Sequence, residues 1–307
     1  MPPRKQLLIA ADVDRALVAR AQEDDRFEVF DRPVRSEEEL AAIVGTCEIL
    51  VTRSYNRVTR RVIAAAPRLE LIAQGTSGTD NIDAAAARER GIPILSLPGE
   101  NANAVAEMVL GHMLALTRTI PWYHRDMLRG GWTRNDSATR HELRHYQLGI
   151  VGLGEVGRRV ARLASAFGMA IVAFDPYLDD RDFAERKATR AGSLDALLAN
   201  LDILTLHVPL TEETRGMIAA KEIAAMKSGS FLVNAARGEI LDTGAALLAL
   251  AGHHLAGLAL DVFDPEPPSQ PWPDDPRLIL TPHIGGGTHE ARASIGTRLW
   301  EKISAAY

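Results

Sequence analysis

Short apolar runs alternate with longer amphipathic stretches from the start of the chain. Residues 7–11, 28–30, 49–52, 69–74 and 94–97 are brief aliphatic and β-branched runs that read as strands, while stretches such as 36–44 and 59–65 carry helical spacing. A second series begins near Gln147, with strands expected at 148–151, 171–174, 203–208, 231–234, 258–262 and 279–281. Continuous apolar runs of this kind suit parallel strands buried on both faces, so the second series predicts a doubly wound sheet. Between the two series lies an uninterrupted helical pattern at 101–119, opened by a Pro98-Gly99 turn and closed before Pro121. The Pro-rich stretch 264–276 predicts a loop, and 288–307 a last helix. The expected fold class is α/β, with two doubly wound parallel-sheet domains.

Composition and charge narrow the function classes. A chain of 307 residues exceeds what one core usually holds, which independently favours two domains. With 46% hydrophobic and 24% charged residues it reads as an ordinary globular chain, not a disordered one. The net charge of −5 and pI near 6.0 provide no field to draw phosphate backbones or anionic lipid, so neither nucleic acid nor membrane is an expected partner. Cys47 is the only cysteine, which excludes an intrachain disulfide and a thiolate metal cluster. No metal site is expected. The run at 7–11 is too short for a signal-peptide core, and the apolar stretch 245–263 is broken by Gly252-His253-His254. A cytoplasmic location is expected.

The clearest binding motif is Gly152-x-Gly154-x-x-Gly157, which follows the strand at 148–151 and opens a helix at 156–167. Its first glycine permits a tight turn, the second lets backbone approach a pyrophosphate, and the third allows close packing of helix on strand. Asp175 ends the next strand, eighteen residues beyond Gly157. A carboxylate there can accept hydrogen bonds from adenosine ribose hydroxyls while repelling a 2′-phosphate, so NAD is expected over NADP.

Three side chains carry the candidate chemistry. Arg237, Glu266 and His283 each follow an expected strand in the second series, and in open α/β sheets ligands sit beyond the carboxyl ends of strands. A guanidinium can hold a carboxylate with two prongs, an imidazole can move a proton near neutral pH, and a carboxylate can orient that imidazole. Beside a dinucleotide site this set points to hydride transfer to a keto acid. The other histidines read as structural, except that His207 either contacts the cofactor or packs at a strand end.

With these segments, and with Ser77-Gly-Thr-Asp-Asn-Ile-Asp83 and Leu206-His-Val-Pro-Leu-Thr211, the chain resembles the D-isomer-specific 2-hydroxyacid dehydrogenases over nearly its whole length. Within them it is most similar to the phosphoglycerate dehydrogenase branch. The resemblance implies that Arg237 meets the substrate carboxylate and carbonyl, that His283 is the acid/base and that Glu266 is its partner. Backbone amides around Ser77 and Gly78 would hold the carboxylate. The NAD site would be lined by Gly152, Gly154, Glu155, Val156, Gly157, Asp175, His207, Val208, Pro209, Thr214, Ala235, Ala236 and Asp261. The resemblance also implies a substrate domain at 1–100 plus 285–307, an NAD-binding domain at 101–284, and an active site in a cleft between them. It further implies a homodimer formed through the 101–119 helix and an arm at 121–135.

Arg53, just before Ser54, and Arg134 match positions that in the phosphoglycerate branch supply positive charge for the distal phosphate, whereas the third such position is Gln74 here; Ser54 is a further expected substrate residue. 3-Phosphoglycerate with its keto partner is therefore expected first, narrowly ahead of glycerate and hydroxypyruvate or glyoxylate. Two further departures are Thr76, where glycine is common, and Arg144-His145-Tyr146, where a Gly-Lys pair is usual. The expectation is a short form, without the regulatory domain that extends some phosphoglycerate dehydrogenases. Two competing readings share the fold: an NAD-sensing, corepressor-like scaffold, and formate dehydrogenase. The latter carries glutamine where this chain has Glu266, which argues against it.

Overall fold

The computed structural model describes residues 3–134, 140–269 and 271–307; Asn135, the far end of the expected 121–135 arm, lies outside the described residues. The chain forms two compact units, residues 1–101 with 287–307, and residues 102–286. Among the described residues, no helix is long and apolar enough to cross a membrane.

In the first unit, strands β1 (Lys5–Ile9), β2 (Phe27–Asp31), β3 (Ile49–Thr52), β4 (Leu71–Gln74) and β5 (Ile94–Leu95) form a parallel sheet in the order β2-β1-β3-β4-β5. Side chains alternate across a strand, so one apolar run supplies both faces. Leu7 and Ile9 pack with Ile49 and Val51 under helices Arg15–Glu23 and His289–Ala305, whereas Leu8 and Leu50 face helices Glu37–Ile43, Arg60–Ala65 and Ala84–Glu89. Leu7, Ile9 and Leu299 are fully buried, each contributing about 1.5–3 kcal/mol relative to exposure. The final helix starts at the Thr288 cap, whose hydroxyl accepts from Ala291 N. Cys47 lies in this core, and burial pushes its thiol up to about 12, which leaves it unreactive.

In the second unit, β6 (Gln147–Val151), β7 (Ala170–Phe174), β8 (Thr189–Arg190), β9 (Ile203–Leu206), β10 (Ser230–Asn234), β11 (Leu255–Leu260) and β12 (Leu278–Leu280) are all parallel, in the order β12-β11-β10-β9-β6-β7-β8. Leu148, Ile150, Val233 and Ala259 pack against helices Ala102–Thr117 and Glu155–Ala166. Val151, Leu204, Leu206, Leu258 and Leu260 face helices Leu194–Leu198, Ala220–Ala225 and Thr243–Ala251.

Several details depart from the sequence pattern. The edge strand β8 was not expected, because its two residues are exposed and polar and carry no apolar signal. The strand expected at 203–208 ends at Leu206, although His207 N still donates to Val151 O at 2.7 Å before the chain turns. Pro121, read as a helix stop, instead lies in the first turn of a new helix, Ile120–Leu128; there its missing N–H has no intrahelical partner to lose.

Candidate functional site

The strand order places the candidate residues more sharply than the sequence does. Arg237 follows β10, Glu266 lies in the loop after β11, and His283 follows β12, and these three strands are consecutive neighbours at one edge of the parallel sheet. Their carboxyl ends therefore share one rim. Glu266 lies six residues past Leu260, within the expected 264–276 loop, and its carboxylate folds back to accept from Phe263 N at 3.0 Å.

Glu266 Oε2 lies 2.7 Å from His283 Nδ1. Burial alone would raise the Glu266 carboxyl, but the hydrogen bond and charge of His283, the Phe263 amide and the charge of Arg237 outweigh it and hold it below the usual carboxylate range. Glu266 is thus ionised at neutral pH. With Nδ1 engaged, Nε2 is the ring nitrogen left for a reacting group.

Arg237 is placed by its backbone. Asn234, buried at the end of β10, donates through Nδ2 to Arg237 O at 2.9 Å and accepts from Ala236 N at 3.1 Å. The next residue must be small, because a Cβ on Gly238 would lie 2.1 Å from the Phe263 carbonyl carbon. That close approach joins the Arg237 turn to the start of the Glu266 loop. Asn234 was not picked out from sequence, although a lone amide ending an apolar strand was the available signal.

At the other side of the β10 and β9 pair, the glycine turn after β6 has the form its spacing predicts. Gly152 has φ +85°, and a Cβ there would meet His207 O at 2.6 Å; on Gly157 it would meet Gly152 O at 2.0 Å. A Cβ on Gly154 would meet nothing within 4 Å, so the turn is open at the position where backbone must approach a pyrophosphate. Glu155 and Val156 begin the helix, with Glu155 paired to Arg158 and Arg159 at 2.6 Å. Asp175, just past β7, accepts from Leu153 N at 2.9 Å and Tyr177 N at 3.1 Å, which aims its carboxylate while leaving lone pairs for ribose hydroxyls. These features fit NAD.

The remaining expected cofactor residues divide. Val208 packs beside Gly152, and Thr214 closes its loop by donating to Pro209 O at 2.6 Å. Ala235 and Ala236 form the link between β10 and Arg237. His207 has Nε2 2.9 Å from Thr205 Oγ1 and no partner at Nδ1, and burial pushes it down to about 3. The imidazole is therefore neutral, with its half-buried ring at the end of β9 beside the glycine turn. Asp261 is 2% exposed, and its carboxylate is engaged by the turn that carries His283.

The expected substrate residues Arg53, Ser54, Ser77 and Gly78 lie in the first unit, and Arg134, which is exposed, lies in the second. Arg53 follows β3; its Nη1 donates to Asp12 O at 3.1 Å and its Nε is buried without a partner. Ser54 is exposed in the adjoining turn. Ser77 Oγ donates to Leu97 O at 3.2 Å and pairs with Asn101 Oδ1 at 2.8 Å.

Gln74 is fully buried and its amide is occupied on every side. Oε1 accepts from Thr52 Oγ1 at 2.7 Å, while Nε2 donates to Thr76 Oγ1 at 2.8 Å, Gly78 O at 3.0 Å and Asn81 Oδ1 at 2.8 Å. The two departures noted in sequence, Gln74 and Thr76, are therefore partners that shape the 76–81 loop. Neither Asn81 nor this coupling was legible from spacing.

Residues 110–285 match the family described as "D-isomer specific 2-hydroxyacid dehydrogenase, NAD binding domain". A D-3-phosphoglycerate dehydrogenase of Methanocaldococcus jannaschii is 39% identical over 273 residues, covering 87% of this chain and 51% of that protein. This chain thus spans about half the length of that relative. A hydroxypyruvate reductase of Thermotoga maritima is 38% identical over 274 residues, covering 87% of each chain. Among solved structures, a glyoxylate reductase of Paecilomyes thermophila superposes with a TM-score of 0.89 at 30% identity, covering 100% of this chain and 96% of the other. With the match to the NAD-binding domain covering more than half of its length, this chain belongs to the D-isomer specific 2-hydroxyacid dehydrogenase family.

Proposed function

We propose that the chain is an NAD-dependent oxidoreductase that interconverts a small D-2-hydroxy acid and its 2-keto acid. The observation carrying this reading is the 2.7 Å contact between His283 and Glu266, on the same sheet rim as Arg237 and in a domain of the NAD-binding kind. Bound NAD would supply or accept the hydride. The turn Gly152, Gly154 and Gly157, Glu155 and Val156 at the helix start, Asp175, His207, Val208, Pro209, Thr214, Ala235, Ala236 and Asp261 are the residues that would hold it. In reduction, His283 Nε2 gives a proton to the oxygen as hydride reaches the carbonyl carbon; in oxidation it takes that proton back. Arg237 holds the carboxylate and aligns the carbonyl. On this reading residues 1–100 with 285–307 are the substrate domain, with amides of Ser77 and Gly78 toward the carboxylate, and 101–284 are the NAD-binding domain.

For the substrate tail, Gln74 supports a preference for an unphosphorylated acid. Its amide is sequestered, so only Arg53 and Arg134 of the three matched positions remain to meet a phosphate. Loss of one charge-assisted contact costs roughly 1.5–3 kcal/mol, about tenfold to over a hundredfold in affinity. We therefore place hydroxypyruvate and glycerate ahead of the phosphorylated pair, reversing the narrow order expected from sequence. The test is NADH oxidation with hydroxypyruvate, glyoxylate and 3-phosphohydroxypyruvate, repeated with NADPH. Hydroxypyruvate with NADH should have the highest specificity constant. A higher value with the phosphorylated acid would restore the first order, a higher value with NADPH would overturn the role of Asp175, and inactivity with all three would favour the NAD-sensing scaffold.

The same reading places the protein in the cytoplasm as a homodimer. Supporting the dimer, helix Ile120–Leu128 buries none of its residues and exposes Ile120, Met127 and Leu128, with Trp132 74% exposed just beyond. Sedimentation should give twice the 33.4 kDa chain mass, and Leu128→Glu should shift it toward one; a monomeric wild type would remove this assignment.

A further inference from the structure

We propose that Asp261 and Thr281 are positioning residues for His283, holding its turn in the backbone conformation from which the imidazole reaches Glu266. The inference rests on the reading of His283 as the acid/base. His283 has φ +52°, in the left-handed region that few residues other than glycine adopt. Such a conformation costs free energy that surrounding bonds can offset. Here they do so from both sides. The carboxylate of Asp261, 2% exposed just past β11, accepts at Oδ1 from the Thr281 hydroxyl at 2.6 Å and from Ile284 N at 2.9 Å, and at Oδ2 from Gly285 N at 2.9 Å. His283 N itself donates to Thr281 O at 3.0 Å.

Every one of those donors lies within two residues of His283. A buried carboxylate needs such donors, and the turn needs such an acceptor, so each fixes the other. Gly285 permits the approach, because a Cβ there would lie 2.9 Å from Asp261 Oδ2. From below, His112 Nε2 stands 3.4 Å from Thr281 Oγ1. With the Thr281 proton directed to Asp261, that oxygen can only accept, which selects the Nε2–H form of His112. The family resemblance puts Asp261 at the cofactor, and its bonds also reach the turn that carries His283.

The experiment is a mutant cycle on keto-acid reduction. Thr281→Val should lower kcat about tenfold, the scale of one lost hydrogen bond to a charged group. The dissociation constant for NADH, read by its fluorescence, should hold. Thr281→Ser should restore kcat. In a His283→Ala background Thr281→Val should have no further effect, since the group being positioned is gone. Hydrogen exchange at the Ile284 and Gly285 amides should quicken in Thr281→Val. Equal loss of kcat in both backgrounds, no rescue by serine, or unchanged exchange would each overturn the proposal. If His283→Ala alone leaves turnover intact, the acid/base reading fails instead, and the exchange measurement still decides whether Thr281 holds the turn.

Discussion

His283→Ala should lower the turnover number for keto-acid reduction by about 10²–10⁴-fold, the usual contribution of a positioned general acid, while NADH affinity stays near that of the wild type. The size follows from what the side chain is placed to do. Its Nδ1 is 2.7 Å from a Glu266 carboxylate held ionised by its neighbours, so the ring has one nitrogen engaged and the other left, on the proposed reading, for the reacting oxygen. Without it, the forming alkoxide must take its proton from water. The glycine turn and Asp175 do not depend on His283, which is why cofactor binding should survive. Steady-state kinetics with hydroxypyruvate, beside NADH titration by fluorescence, separate the two effects. A turnover number within a few-fold of the wild type would remove His283 from the chemistry.

Arg237→Ala should weaken both substrate capture and turnover, lowering kcat/KM by about a hundredfold or more. A charge-assisted hydrogen bond contributes roughly 1.5–3 kcal/mol, and a two-pronged grip has two of them and also aligns the carbonyl for hydride attack. The site around Arg237 is rigid enough for that geometry to matter: Asn234 bonds the backbone on both sides of it, and Gly238 packs against the Phe263 carbonyl. Arg237→Lys keeps the charge but not the planar fork, so it should recover only part of the loss. Measuring kcat/KM for the three proteins with one keto acid decides this. A wild-type-like value for alanine would mean that the carboxylate is held elsewhere.

The sequence by itself determined a good deal of this protein. Alternating apolar runs specified two parallel α/β sheets, because strands buried on both faces are mostly apolar, as 49–52 and 203–206 are with one buried threonine each. Glycine spacing specified the turn after β6, since only residues without a Cβ fit where backbone lies within 2–3 Å of the built position. Arg237, Glu266 and His283 could be singled out because ligands sit beyond the carboxyl ends of parallel strands and these three side chains follow such strands.

Only the tertiary structure decided which strands are neighbours, and with it the shared rim of β10, β11 and β12. It alone showed Gln74 sequestered with Thr76 and Asn81, Asn234 holding Arg237, and Asp261 bonded to the His283 turn. The physical reason is plainest for Asp261. Hydrogen-bond partners such as Asp261 and Gly285 are 24 residues apart in the chain, and no local periodicity records which distant donor a buried amide or carboxylate will meet. The edge strand β8 escaped notice for the complementary reason: exposed and two residues long, it follows its neighbour's ladder and not its own pattern.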